Sequence, residues 1–155
     1  MGKALNKWLK LRKELPVREE VLLNLRVAST LLGHGFEKSV SGFGITEPQY
    51  NVLRILRGVY PEGHPRCEII SRMIEKSPDI TRLIDRLEKQ GLVERDRTND
   101  DRRMSITRIT EKGLKVVNEI QPLLDEVNKS ITKNLTTEEC KSLSGLIEKI
   151  YEHLI

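Results

Sequence analysis

Residues 76–110 read KSPDITRLIDRLEKQGLVERDRTNDDRRMSITRIT, a stretch that decides the fold because an amphipathic helix runs straight into a β-hairpin. Ser77 is a helix-capping residue and Pro78 suits the first helical position, where a missing N–H costs nothing. Ile80, Leu83, Ile84 and Leu87 recur at the spacing of one buried face, which leaves Asp79, Thr81, Arg82, Asp85, Arg86 and Lys89 over the remaining surface. Gly91 fits the position just past the helix end. The spacing then predicts one strand over Leu92–Arg97 and a second over Met104–Ile109, with the turn-forming residues Thr98, Asn99, Asp100 and Asp101 between them. Arg102 and Arg103 sit beside that turn. Such a hairpin can send arginines into a duplex minor groove while the helix lies in the adjacent major groove. The apolar spacing alone proves only an amphipathic helix; the DDRR hairpin tip turns the reading toward DNA.

Outward from this stretch the chain reads as helical. One helix is expected from about Val17 to Ser39, with Val21, Leu22, Leu25, Ala28, Leu32 and Phe36 on its buried side, broken by SGFG at 41–44. Thr46 and Gln49 form a capping box that opens a second helix, continued by Val52, Leu53, Leu56 and Tyr60 and ended by Pro61, Gly63 and Pro65. A short helix over Cys67–Lys76, with Ile69, Ile70, Met73 and Ile74 inward, pairs with the helix from Pro78 as a helix-turn-helix. Thr110 opens a long helix whose residues Leu114, Val117, Gln121, Leu124, Val127 or Asn128, and Ile131 step by threes and fours like a coiled-coil seam. Thr136 and Glu139 form another capping box, and Leu143, Leu146, Ile147, Ile150 and Leu154 mark a last helix. Neither terminal stripe has an evident partner in so small a chain, so a symmetric homodimer built from the first and last helices is expected.

Three segments, ITEPQYNVLRIL at 45–56, ITRLIDRLEKQGLVER at 80–95 and NDDRRMSITRITEKG at 99–113, resemble the MarR family of winged helix-turn-helix regulators, and the resemblance spans about residues 16–155. It implies a mainly α fold with a small β-hairpin wing. Residues 1–45 would supply N-terminal dimerisation helices, 46–110 the winged DNA-binding region and 111–155 C-terminal dimerisation helices, within a single compact domain. The family's Asp-x-Arg wing pattern falls on Asp101 and Arg103, the arginine entering the minor groove and the aspartate holding it; Arg102 lies beside them. The major-groove residues would correspond to Ser77, Asp79, Thr81 and Arg82, with Arg86 tied to the wing or a phosphate. The resemblance also implies a homodimer repressing through a pseudo-palindromic site on double-stranded DNA, and release by a small aromatic or phenolic effector, often an acid. The competing reading is a dimeric winged-helix adaptor that does not bind DNA.

Composition bounds these readings. The 155 residues suit one domain, whose core must be mostly aliphatic because aromatic residues make up only 4%. The net charge of +4 is already present in the first fifteen residues, where five cations face Glu14. Residues 76–110 carry nine basic and seven acidic side chains, and 111–155 six and eight, so charge is polarised rather than large. That distribution favours aimed phosphate contacts over general adhesion to polyanions. Cys67 and Cys140 form no CxxC pair, and Cys67 reads as a small buried or cap-proximal residue. No branch with a redox cysteine early in the first long helix fits, because no cysteine precedes residue 67. His34, His64 and His153 show no metal spacing, so no metal or cofactor is expected. Nor does any phosphate loop, GxSxG or HExxH suggest an enzyme. With no membrane-length apolar run and no signal-peptide core, a cytoplasmic location without membrane partners is expected. Near the N-terminus, Leu5, Trp8, Leu9 and Arg12 share one face among lysines, which suits an anionic surface, a dimer-packing helix or an arm on DNA; the tryptophan favours packing.

Overall fold

A computed structural model describes residues 2–76, 79–96 and 105–155. In chain order the elements are helices α1 (Lys3–Leu9), α2 (Val17–Ser41) and α3 (Glu47–Arg57), strand β1 (His64–Pro65), helices α4 (Arg66–Arg72) and α5 (Ile80–Lys89), strands β2 (Val93–Arg95) and β3 (Ile106–Ile109), helices α6 (Glu111–Thr132) and α7 (Thr137–Tyr151), and a closing 3-10 turn, Glu152–Leu154. The protein is thus mainly helical with a small antiparallel wing.

Capping sets several boundaries. The Thr46 backbone N–H donates to Gln49 Oε1 at 2.9 Å, which opens α3, and the Thr136 N–H donates to Glu139 Oε2 at 2.7 Å, which opens α7. Both boxes are the ones read from the sequence. Helix α5 starts two residues later than expected: Asp79, not Ser77, is its N-cap, with Oδ1 accepting the Arg82 backbone N–H at 3.3 Å. A carboxylate is a strong cap, and here it satisfies the N3 amide, that of Arg82. Ser77 and Pro78 lie outside the described residues. Gly91, at φ 70°, takes the left-handed conformation that ends α5 cleanly.

The wing contains a third strand absent from the sequence reading. The order is β1-β3-β2, with His64 opposite Thr107 and Val93 opposite Ile109. Two residues including a proline carry no strand pattern; β1 forms because β3 offers it a free edge, and Pro needs no ladder N–H there.

The core is aliphatic. Val52, Leu53 and Leu56 of α3, Ile69 of α4, Ile84 and Leu87 of α5, Val93 of β2, Ile109 of β3 and Val117, Ile120 and Leu124 of α6 close one cluster. Tyr50 lies within it, edge-on to Phe36 with ring centroids 5.5 Å apart, and burial raises its phenol pKa. Gln121, read as a seam residue, is instead used within the chain. Its Oε1 accepts long hydrogen bonds from Tyr50 Oη and Arg57 Nη2, both at 3.5 Å, and its Nε2 donates to Asp125 Oδ1 at 3.0 Å.

Several positions expected inward face outward. Ile74 is 74% exposed because α4 ends at Arg72 and the chain turns away at Met73. Cys67, second in α4, is exposed, which leaves it cap-proximal but not buried. On α2, Val21, Leu22 and Leu32 are exposed, as is Ala28. Helix α7 has no buried residue at all. The periodicity located these apolar faces correctly, but no other element among the described residues covers them. At the N-terminus, Leu5 of α1 is buried and Gly2 N–H donates to Glu20 Oε1 at 2.5 Å, while Trp8 stays 56% exposed.

Candidate nucleic-acid interface

Helices α4 and α5 form the helix-turn-helix, and the wing strands flank it. Asn51 Oδ1 of α3, itself buried, accepts the Ile74 backbone N–H at 3.2 Å and holds the segment between α4 and α5 against the core. Ile80, Ile84 and Leu87 then fix the roll of α5 by burying one face. The opposite face must therefore present Thr81, Arg82 and Arg86, and all three are exposed.

Arg82 is an available cation of this face, with its side chain 79% exposed. Its Nε lies 3.1 Å from Asp79 Oδ2, so one aspartate both caps the helix and steers the guanidinium at its first turn. An arginine held this way can offer two parallel N–H groups to an acceptor pair such as guanine O6 and N7. Asp79 is exposed with Arg82 and stands at the helix start, as the sequence reading placed it.

Two residues missed from the sequence organise this surface. Arg66, the first residue of α4, donates from Nη1 to Thr81 Oγ1 at 3.2 Å. Arg95 of β2 pairs with Asp85, lies 3.7 Å from Glu88 through Nη1, and reaches the Thr81 carbonyl at 3.5 Å. With its side chain only 22% exposed, Arg95 fastens the base of the wing to the helix. None of these contacts has a sequence signature, because each joins residues on separate elements whose proximity depends on the packed fold.

The described base of the hairpin is also closed firmly. Asp96 N–H donates to Ile106 O at 2.9 Å, Ser105 Oγ donates to Asp96 O at 2.9 Å, and Arg108 Nη1 lies 3.3 Å from Asp96 Oδ2. Strands β2 and β3 are each shorter than expected, and the tip residues Asp101, Arg102 and Arg103 lie outside the described residues, as does Ser77. The structure thus brings Asp79, Thr81, Arg82 and Arg86 together on one exposed helix beside a wing whose root is rigidly paired. Among the described residues no helix is long and apolar enough to cross a membrane.

Residues 45–105 match the MarR family. The chain is 34% identical to a MarR transcription factor from Planctomyces limnophilus whose crystal structure superposes with a TM-score of 0.67, covering 88% of this chain and 98% of that one. It is 26% identical over 139 residues to the HTH-type transcriptional regulator PapX of Escherichia coli, covering 89% of this chain and 85% of PapX. In fold it also matches BpsR of Bordetella bronchiseptica, whose DNA binding is regulated by 6-hydroxynicotinic acid, with a TM-score of 0.72 at 22% identity over 88% of this chain and 98% of BpsR.

Proposed function

The chain belongs to the MarR family of transcriptional regulators, and from that premise we propose that it is a homodimeric repressor of a pseudo-palindromic operator. The observation that carries this reading is the exposed face of α5, where Thr81, Arg82 and Arg86 stand beside a wing fastened by Arg95. Arg82 reads a guanine in the major groove. Arg86 meets a phosphate, Thr81 and Asp79 complete the helix contact, and Ser77 precedes them at the turn. Asp101, Arg102 and Arg103 form the wing tip, with Arg103 in the minor groove and Asp101 orienting it.

Uncovered apolar surface supports the dimer. Val17 and Leu22 of α2, Ile131 of α6 and Leu143, Leu146 and Leu154 of the C-terminal region are all exposed in the single chain. Monomeric soluble proteins rarely leave such contiguous faces in water. An isologous contact through these helices buries both stripes at once and spaces two copies of α5 by about one turn of DNA. Occupying a promoter in this way blocks transcription, and a small aromatic effector that favours a different spacing releases the DNA.

Fluorescence anisotropy on the DNA upstream of the protein's own coding sequence, beside scrambled duplex and across a salt series, tests the reading. A preference of about a thousandfold or more for the specific duplex is expected. Binding that is weak and indifferent to sequence, on both upstream DNA and fragments selected from the whole genome, would sink it.

A further inference from the structure

An open cleft of about 590 Å³ lies where α2 faces the start of α3. That volume suits a small organic ligand. One wall is a polar stripe of α2, since Thr30, His34, Glu37 and Ser41 step by fours and threes along a single face. The other wall is the α3 N-terminus, with Glu47 beside the half-buried Pro48 and the core residue Ile45 behind them. Among the described residues no lysine or arginine lines the cleft; its fixed charges there are the carboxylates Glu37 and Glu47. Burial raises the Glu47 pKa, and the nearby charges of Glu75 and Glu37 raise it further, with no cation opposing them. Glu75 belongs to the segment between α4 and α5. Carboxylates from the long helix, from α3 and from the helix-turn-helix joint therefore crowd one region. Glu47 gains from the α3 N-terminus, whereas Glu37, near the C-terminal end of α2, gains nothing from its helix dipole.

We propose that this cleft is an effector site for a protonated aromatic amine or amidine, with Glu37 and Glu47 as counter-charges and Pro48 against the ring. The inference rests on the reading of the protein as a ligand-responsive regulator and sets the sign of the ligand's charge. An aromatic acid would bring a third negative charge beside Glu37 and Glu47, at a cost that grows as water leaves the cleft. A cation does the reverse and draws α2 toward the DNA-binding lobe.

Benzamidine and benzoate, which share a ring and differ in charge, separate the possibilities. Titrated into the DNA-free, full-length protein at neutral pH and low salt, benzamidine is expected to bind saturably by calorimetry and to raise the melting temperature, and benzoate to do neither. Glu37→Gln and Glu47→Gln should each weaken benzamidine about three- to tenfold, as loss of a partly solvated ion pair does. Glu138→Gln, on α7 and away from the cleft, should change nothing. Should Glu47→Gln disturb the start of α3 and melt early, Glu37→Gln alone carries the test. The proposal is overturned if benzoate binds as well as benzamidine, if both glutamine variants bind benzamidine like the parent, or if neither probe binds at millimolar concentration. Operator binding is read separately: a chain that takes up benzamidine through Glu37 but ignores operator DNA overturns the regulator reading and leaves the site standing.

Discussion

Gly113 should resist replacement by alanine, whereas Gly145 should accept it. Both are helical, so alanine at either would ordinarily gain up to about 1 kcal/mol of helix propensity. At Gly113, in the first turn of α6, a Cβ would sit 2.2 Å from the Leu92 carbonyl oxygen and 2.7 Å from Ile109 Cγ1. Neither neighbour can yield easily. Leu92 O accepts the Thr110 backbone N–H at 3.1 Å, and Thr110 Oγ1 in turn donates to Gly91 O at 2.8 Å and accepts the Gly113 N–H at 3.1 Å. Opening about 1 Å of space means lifting α6 off β2 and straining that set of bonds. Overpacking of this kind costs about 1–3 kcal/mol and each weakened hydrogen bond about 1 kcal/mol more, so Gly113→Ala should lose about 2–3 kcal/mol net of the propensity gain. For a chain of this size that lowers the melting temperature by about 4–12 °C. Around Gly145 a Cβ meets nothing within 4 Å. It also lies on the side of α7 opposite Leu143, Leu146, Ile147 and Ile150, so a dimer contact through that stripe would spare it. Gly145→Ala should stabilise by about 0.5–1 kcal/mol. Calorimetric melts of both variants at one fixed protein concentration, because a dimer's melting point depends on concentration, give the answer. A Gly113→Ala protein that melts at or above the parent would refute the reasoning.

Four further outcomes are expected. Arg82→Ala should cost about 1–3 kcal/mol of operator binding and relax base preference at one position per half-site. The Asp79 cap survives that change because it holds the residue 82 backbone N–H, and anisotropy on single-base operator variants showing an unaltered preference would contradict the role. Arg103→Ala should weaken binding most on A·T-rich flanks, where the minor groove is narrow, and uniform loss on every flank would count against minor-groove entry. The Thr136 backbone N–H and hydroxyl hold the Glu139 carboxyl below its usual pKa. Its contribution is therefore complete above the unfolded value and is lost as pH falls through the folded one, so Glu139→Gln should flatten part of the acid limb of a stability–pH profile while changing its slope little above pH 6. Leu146→Asp should leave the single-chain fold intact, since that side chain is 60% exposed, yet shift sedimentation from dimer to monomer; an undisturbed dimer would place the interface elsewhere.

What could be read from the sequence was what is locally determined. The capping boxes at Thr46 and Thr136 need only a hydroxyl and an acceptor three residues on, and both formed. The roll of α5 followed from Ile80, Ile84 and Leu87 alone, so the exposed set of Thr81, Arg82 and Arg86 was legible as well. Its first residue was not: Ser77, Pro78 and Asp79 all carry start signals, and only the geometry decided that Asp79 caps. Contacts between distant segments left no trace. The pairing of His64 with Thr107, the Arg66 bond to Thr81 and the clasp of Arg95 on Asp85 each depend on where another element has already packed. Periodicity also marks an apolar face without saying what covers it, which is why Val21, Leu22 and Leu32 were expected in the core and stand in solvent.

The long helix α6 explains how a wing and a distant apolar face can act together. It starts at the wing root, with Thr110 and Gly113 against Leu92, passes α3 at Gln121, and ends among exposed apolar residues near Ile131. Its 22 residues span about 33 Å, although Pro122 inside the helix removes one i→i−4 hydrogen bond near its middle. In the proposed dimer, motion of α6 at its apolar end would be felt at the wing root against which its first turn packs. A ligand can use this path only if it binds one arrangement better than the other. Contact with α2 alone would give no such preference. The cleft meets the condition because its facing carboxylates, Glu37 on α2 and Glu47 on α3 with Glu75 close by, belong to parts whose separation the ligand would reset.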